Sequence, residues 1–88
     1  MVEFRWNEWN VEHLARHGVN PEEAEEVVIG ATQPYPFERP DEKWLVWGRT
    51  WRGRALQVVF IVDENDTLYV IHALDLTRRE KHQFRRRR

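Results

Sequence analysis

Apolar and polar positions alternate in three long stretches of the second half of the chain. Lys43–Thr50, Arg54–Val62 and Thr67–Leu74 are rich in Val, Ile, Trp, Phe and Tyr, and their period of two predicts strands. Trp51-Arg52-Gly53-Arg54 and Asp63-Glu64-Asn65-Asp66 are the intervening turns. The first half follows a different period. After a short alternating segment, Phe4-Arg5-Trp6, either Asn7 or Asn10 suits the cap of a helix running to about His17, with Gly18 placed for a left-handed stop. Asn20-Pro21-Glu22-Glu23 opens a second helix: Asn as cap, Pro in its first position, Glu23 as capping-box partner. Its stripe of Ala24, Val27 and Val28 ends near Gly30. Pro34, Pro36 and Pro40 make residues 31–42 an extended loop. Thr77 with Glu80 starts a last, basic helix. The predicted order is β-α-α-β-β-β-α, an α+β domain of two helices on an antiparallel sheet.

Two-residue turns at Arg52-Gly53 and Glu64-Asn65 would pair Thr50 with Ala55, Trp47 with Val58, Phe60 with Tyr69 and Gln57 with His72. That register predicts a core face of Leu45, Trp47, Leu56, Val58, Phe60, Tyr69, Ile71 and Ala73. The opposite face would carry Gly48, Gln57 and His72, and the missing side chain of Gly48 would leave a groove beside His72.

Composition bounds what such a domain does. With 88 residues the chain is one domain, with residues 85–88 as a basic tail, and its core is small. It has no Cys, which excludes disulfides, thiolate metal sites and cysteine nucleophiles. Its longest uncharged apolar run, Ala55–Val62, falls far short of the roughly 20 residues that span a bilayer. The first residues lack the apolar stretch of a secretory signal. The expectation is a cytoplasmic protein without a membrane partner.

The net charge of -1 conceals two opposed halves. Residues 1–45 hold four Lys/Arg and ten Asp/Glu, whereas residues 46–88 hold ten and five. The basic half reopens a polyanion partner. Arg49, Arg52 and Arg54 cluster at one turn, and Arg78 and Arg79 open the last helix. Guanidinium groups match phosphate in bidentate geometry. The tail arginines suit either a solvated helix end or nonspecific affinity for nucleic acid.

Among the histidines, His72 has the ordinary pKa for acid–base work, although residue chemistry alone favours a half-buried strand histidine satisfied by Gln57 or a carbonyl. His13 and His17 have the i, i+4 spacing of a metal pair. The intervening Leu14-Ala15-Arg16 lacks a zincin glutamate and adds a positive charge. No metal and no cofactor is therefore expected. Trp6, Trp44 and Trp47 suit the core, and Trp9 and Trp51 suit a surface that meets a partner.

Three motifs carry a family resemblance. The first is Phe4-Arg5-Trp6-Asn7 with Glu12-His13-Leu14-Ala15-Arg16-His17-Gly18-Val19 and Pro21-Glu22-Glu23-Ala24-Glu25-Glu26-Val27. The second is Trp47-Gly48-Arg49-Thr50 with Gly53-Arg54-Ala55-Leu56. The third is Val70-Ile71-His72-Ala73 with Thr77-Arg78-Arg79-Glu80-Lys81 and Phe84. In this order, over nearly the whole chain, they resemble the BrnT toxins of type II toxin–antitoxin systems, which have a RelE-like ribonuclease fold.

The resemblance implies an RNA-cleaving toxin held inactive by a cognate antitoxin with a ribbon-helix-helix part, and operator DNA bound only through that complex. It carries function to Arg49, Arg54, Arg78, Arg79 and Glu80. His72 or Glu80 would serve as base or acid in a metal-independent attack of a ribose 2′-OH on the adjacent phosphate. Arg52, Gln57, Lys81, Arg85 and Arg86 are the expected RNA contacts. The family pattern Ile-Ser-Ala-Arg reads Ile71-His72-Ala73-Leu74 here. The lost guanidinium leaves a rival expectation, a catalytically weak or inactive module that docks an antitoxin or nucleic acid.

Overall fold

A computed structural model describes residues 2–86. Its elements are β1 (Phe4–Arg5), α1 (Glu8–Ala15), α2 (Pro21–Ile29), β2 (Phe37–Arg39), β3 (Lys43–Arg49), β4 (Ala55–Val62), β5 (Leu68–Asp75) and α3 (Arg78–Arg86), with one 3-10 turn at Pro40–Glu42. The strands form one mixed sheet in the order β1-β5-β4-β3-β2. The α+β class holds, with two corrections. β1 joins the edge parallel to β5, so the sheet is not purely antiparallel. β2 lies inside the predicted proline loop and pairs with β3, because an extended Pro-bounded segment can still form an edge strand.

The helix signals work locally. Asn7 and Asn10 cap α1 reciprocally, Asn7 Oδ1 accepting from Asn10 N (3.1 Å) and Asn10 Oδ1 from Asn7 N (2.8 Å). The fully buried Asn10 also donates from Nδ2 to the carbonyls of Arg5 (3.1 Å) and Val70 (3.0 Å). Its amide thus ties α1 to β1 and β5 with its polar atoms satisfied. α1 ends at Ala15, short of His17, and Gly18 (φ +68°) turns the chain. Asn20 with Glu23 and Thr77 with Glu80 form the two predicted capping boxes.

Both hairpins depart from the predicted register by one residue. In the first, Gly53 N donates to Thr50 O, Thr50 N donates to Arg54 O, and Gly53 has φ +92°. In the second, Asp66 N donates to Asp63 O, Asp63 N donates to Thr67 O, and Asp66 has φ +61°. Each loop is a tight turn followed by one left-handed residue, a three-residue connection rather than a two-residue one. Arg49 therefore pairs with Ala55, Gly48 with Leu56 and Trp47 with Gln57.

This slip exchanges the faces of β3: Val46 and Gly48, not Leu45 and Trp47, are buried beside Leu56, Val58 and Phe60. In β5 a bulge opposite Val59 and Phe60 leaves Ile71 without a partner; Ala73 is buried as expected, but Val70, not Tyr69 and Ile71, is fully buried with it. α1 packs on β5, and α2 on β3 and β4. Val27 of α2 fills the space over Gly48, where an added Cβ would stand 3.2 Å from Val27 Cγ1. Away from α2, Tyr35 gathers Phe37, Trp47 and Phe84 around its ring at 5.1, 6.2 and 6.0 Å, which seats α3. No helix among the described residues is long and apolar enough to cross a membrane.

Candidate functional site

The groove expected between Gly48, Gln57 and His72 does not form. Gly48 faces α2, and Gln57 Oε1 accepts from Trp47 Nε1 at 2.9 Å. His72 pairs in register with Val59 rather than Gln57, and the bulge beside it turns its ring to α1. There it lies 5.7 Å from the His13 ring and 5.4 Å from the His17 ring, and those two rings are 6.1 Å apart. One nitrogen from each of His13, His17 and His72 falls within 4.8 Å of the other two. His13 and His72 are half-buried and His17 is exposed. Trp9, one turn before His13, lies parallel to it with centroids 5.1 Å apart, and Tyr69 extends the stack at 6.4 Å from Trp9. The His72 imidazole is held below its ordinary pKa by burial first and by the two neighbouring histidines second.

A guanidinium clasp adjoins this cluster. Arg54, at the start of β4, donates from Nε to Asp75 Oδ1 (2.8 Å) and from Nη2 to Asp75 Oδ2 (2.9 Å). Its Nη1 donates to Gly18 O (2.8 Å) and to Glu23 Oε1 (3.0 Å), and Nη2 also reaches His17 O at 3.5 Å. All three nitrogens are thus engaged within the protein, and the charge ties the α1–α2 connection to the ends of β4 and β5. The carboxylates raise the Arg54 pKa further, Asp75 most strongly. The Asp75 carboxyl is lowered chiefly by its bonds to Arg54, with Lys81 adding a weaker attraction.

The remaining residues singled out from the sequence divide. Arg49 lies on the face turned away from α2, where Nη1 donates to Gly53 O (3.1 Å) and Cζ stands 6.0 Å from the Phe84 ring. Arg52 is exposed on the first hairpin, beside a depression of about 420 Å³ lined also by Glu22, Glu23 and Glu26, an acidic setting. Glu80 Oε1 accepts from Thr77 N at 2.9 Å, as the cap requires. Arg78, Arg79, Lys81, Arg85 and Arg86 are exposed on α3. The rest of the tail, Arg87 and Arg88, lies outside the described residues. The structure therefore brings Arg54 and His72 to one end of the molecule, with α3 beginning just beyond Asp75, and separates Arg49 and Gln57 from them. The roles of His13 and His17 beside His72 were not read from the sequence. Their i, i+4 spacing was the available signal; the third ring comes from a distant strand.

Compared with protein-family models, curated proteins and solved structures, the chain matches none of them.

Proposed function

We propose that the chain is a toxin of BrnT type with a RelE-like domain, a metal-independent endoribonuclease neutralised by a cognate antitoxin. The observation that carries this reading is the meeting of His72 and His17 beside the Arg54 clasp, at the end of the sheet from which the basic helix α3 departs. Two imidazoles at this separation can act as base and acid on one phosphodiester. One takes the proton of the ribose 2′-OH as the 2′-oxygen bonds to phosphorus. The other donates a proton to the 5′-oxygen as its bond to phosphorus breaks, leaving a 2′,3′-cyclic phosphate and a 5′-hydroxyl. Arg78, Arg79 and Lys81, exposed in the first turn of α3, supply the positive charge for the substrate backbone. Arg54 acts as a positioning residue, since its nitrogens are already bonded. The element order and the three sequence motifs support the family reading.

The test is incubation of the partner-free chain with RNA in EDTA. Cleavage with 2′,3′-cyclic phosphate ends is expected, and loss in a His17→Ala, His72→Ala double variant. No cleavage above that double variant overturns the enzyme.

A second reading has its own observation. Arg54 is fully engaged by protein groups and Leu74 stands where the family carries Arg. Both favour a binding module that docks an antitoxin or nucleic acid without cleaving. Expression in a host separates the two: growth arrest with RNA loss supports the enzyme, and harmless expression with tight antitoxin binding supports the module.

A further inference from the structure

We propose that His13, His17 and His72 form a binding site for one zinc-class divalent ion, three imidazole nitrogens leaving the fourth position to solvent. The site shares His17 and His72 with the proposed ribonuclease, so a bound ion occupies the nitrogens on which cleavage in EDTA relies. Zinc binding is read without RNA, so its failure and the failure of cleavage are separate results.

The geometry sets the site up from two directions. His13 lies in α1 and His17 just past its end, where Arg16 is still helical and His17 N bonds back to Leu14 O. This continuation keeps both rings on one side. His72 arrives from β5, where the unpaired Ile71 turns the strand. Their ring planes are inclined at 51°, 74° and 79° to one another rather than stacked. Zinc–nitrogen bonds of 2.0–2.1 Å in a tetrahedron need nitrogens about 3.3 Å apart. The ligand atoms already lie within 4.8 Å of one another. Side-chain rotation supplies the rest, since His17 is exposed and His13 and His72 are partly so.

The donor set decides the ion. Three neutral nitrogens without a carboxylate suit Zn²⁺, Co²⁺, Ni²⁺ or Cu²⁺ and offer nothing to Mg²⁺ or Ca²⁺, which take oxygen ligands. Trp9 lies flat on His13 and limits the orientations of that ring before the ion arrives. Arg16 follows His13 and precedes His17 in sequence, which argued against a cation for the helical pair alone. A third ligand from another element changes that balance, because it closes a chelate across the fold.

The experiment titrates the untagged full chain with zinc chloride by calorimetry, and with cobalt chloride by visible absorption. One equivalent of zinc is expected to bind, and cobalt is expected to give the intense bands of a four-coordinate site. Changing even an outer-shell partner of a metal ligand costs about 10–100-fold in affinity, so His72→Ala and His17→Ala are each expected to lose at least that much. His82→Ala, on the exposed face of α3, is the control and should bind as the parent does. His17 is exposed, so its variant keeps the fold even where His72→Ala does not. Failure of the parent chain to bind zinc, or zinc affinity unchanged in both variants, overturns the site.

Discussion

Arg54 and Asp75 face each other in a two-bond fork, Nε to Oδ1 at 2.8 Å and Nη2 to Oδ2 at 2.9 Å. The pair closes the end of the sheet at which the histidines gather, and Glu23 and the Gly18 carbonyl complete the guanidinium's bonding. A residue read from the sequence as a phosphate ligand thus has all three nitrogens bonded within the protein. Arg54→Ala should lower stability by about 1–2 kcal/mol, the lower part of the range for charge-assisted bonds because the site is partly exposed. Arg54→Lys should recover only part, because an ammonium cannot make the fork. Urea denaturation of the three proteins checks both values.

The second hairpin gives the chain a defined response to acid. Asp63 accepts from the Thr67 hydroxyl and from Arg5 Nε at 2.7 Å. These bonds, Thr67's first and Arg5's second, lower its pKa from 3.8 to about 2. A carboxyl depressed in the folded state stabilises the fold above its unfolded pKa and loses that contribution as pH falls through its folded one. The loss therefore runs from about pH 4 to about pH 2. Asp63→Asn should be less stable than the parent at pH 6 and converge with it near pH 2 in urea denaturation. A constant difference across that interval would count against the assignment.

Gly48 offers a test of the observed register. An added Cβ meets Val27 Cγ1 at 3.2 Å and the Val27 carbonyl at 3.4 Å. For Gly48→Ala, that crowding is offset by the roughly 0.5–1 kcal/mol that alanine gains over glycine in a strand, so the change should be near neutral. Gly48→Leu has no such offset and should cost about 1–3 kcal/mol by overpacking against α2. In the register expected from two-residue turns, Gly48 bordered an open groove and either substitution would have been harmless. Thermal unfolding of Gly48→Leu, with Gly48→Ala as the reference, distinguishes the two arrangements.

The same glycine shows where sequence reasoning reached its limit. Helix starts were legible, because Asn20, Glu23, Thr77 and Glu80 act over three residues and need no distant partner. β4 was also oriented correctly, with Leu56, Val58 and Phe60 inward. β3, and β5 apart from the correctly buried Ala73, were misplaced because a hairpin register depends on one residue per turn: Gly53 and Asp66 each adopt a positive φ that lengthens the loop. The bulge beside His72 is longer-ranged still, since it reflects how β5 fits β4 and α1 together. The histidine cluster depends on that bulge, so only one helical pair of it could be read from spacing.

Leu74 tests the family reading. The resemblance places an arginine there, and a charge-assisted bond to phosphate contributes about 1.5–3 kcal/mol. Leu74 pairs with Gln57, on the face turned from the histidines. Catalysis by the histidine pair therefore predicts an unchanged rate in Leu74→Arg, whereas a rise of about tenfold or more would place catalysis on the Gln57 face. The measurement is the initial rate on a fixed RNA in EDTA. An unchanged or slower rate, with the fold intact by circular dichroism, would show that this position does not serve catalysis.

Zinc should also stabilise the fold, independently of any activity. The three histidines join α1 to β5, two elements otherwise held together by apolar packing and by the Asn10 amide on the Val70 carbonyl. An ion that binds only the folded chain adds about 2.7 kcal/mol at a hundred times its dissociation constant. For a domain of this size, that raises the melting temperature by about 10 °C or more. Magnesium should leave it unchanged, since the site offers nitrogen and no carboxylate. His17→Ala should abolish the zinc effect while melting near the parent's metal-free temperature, because the ring it removes is exposed and covers no core. A zinc-induced rise that persists in that variant would place the ion elsewhere, and no rise in the parent would remove the site.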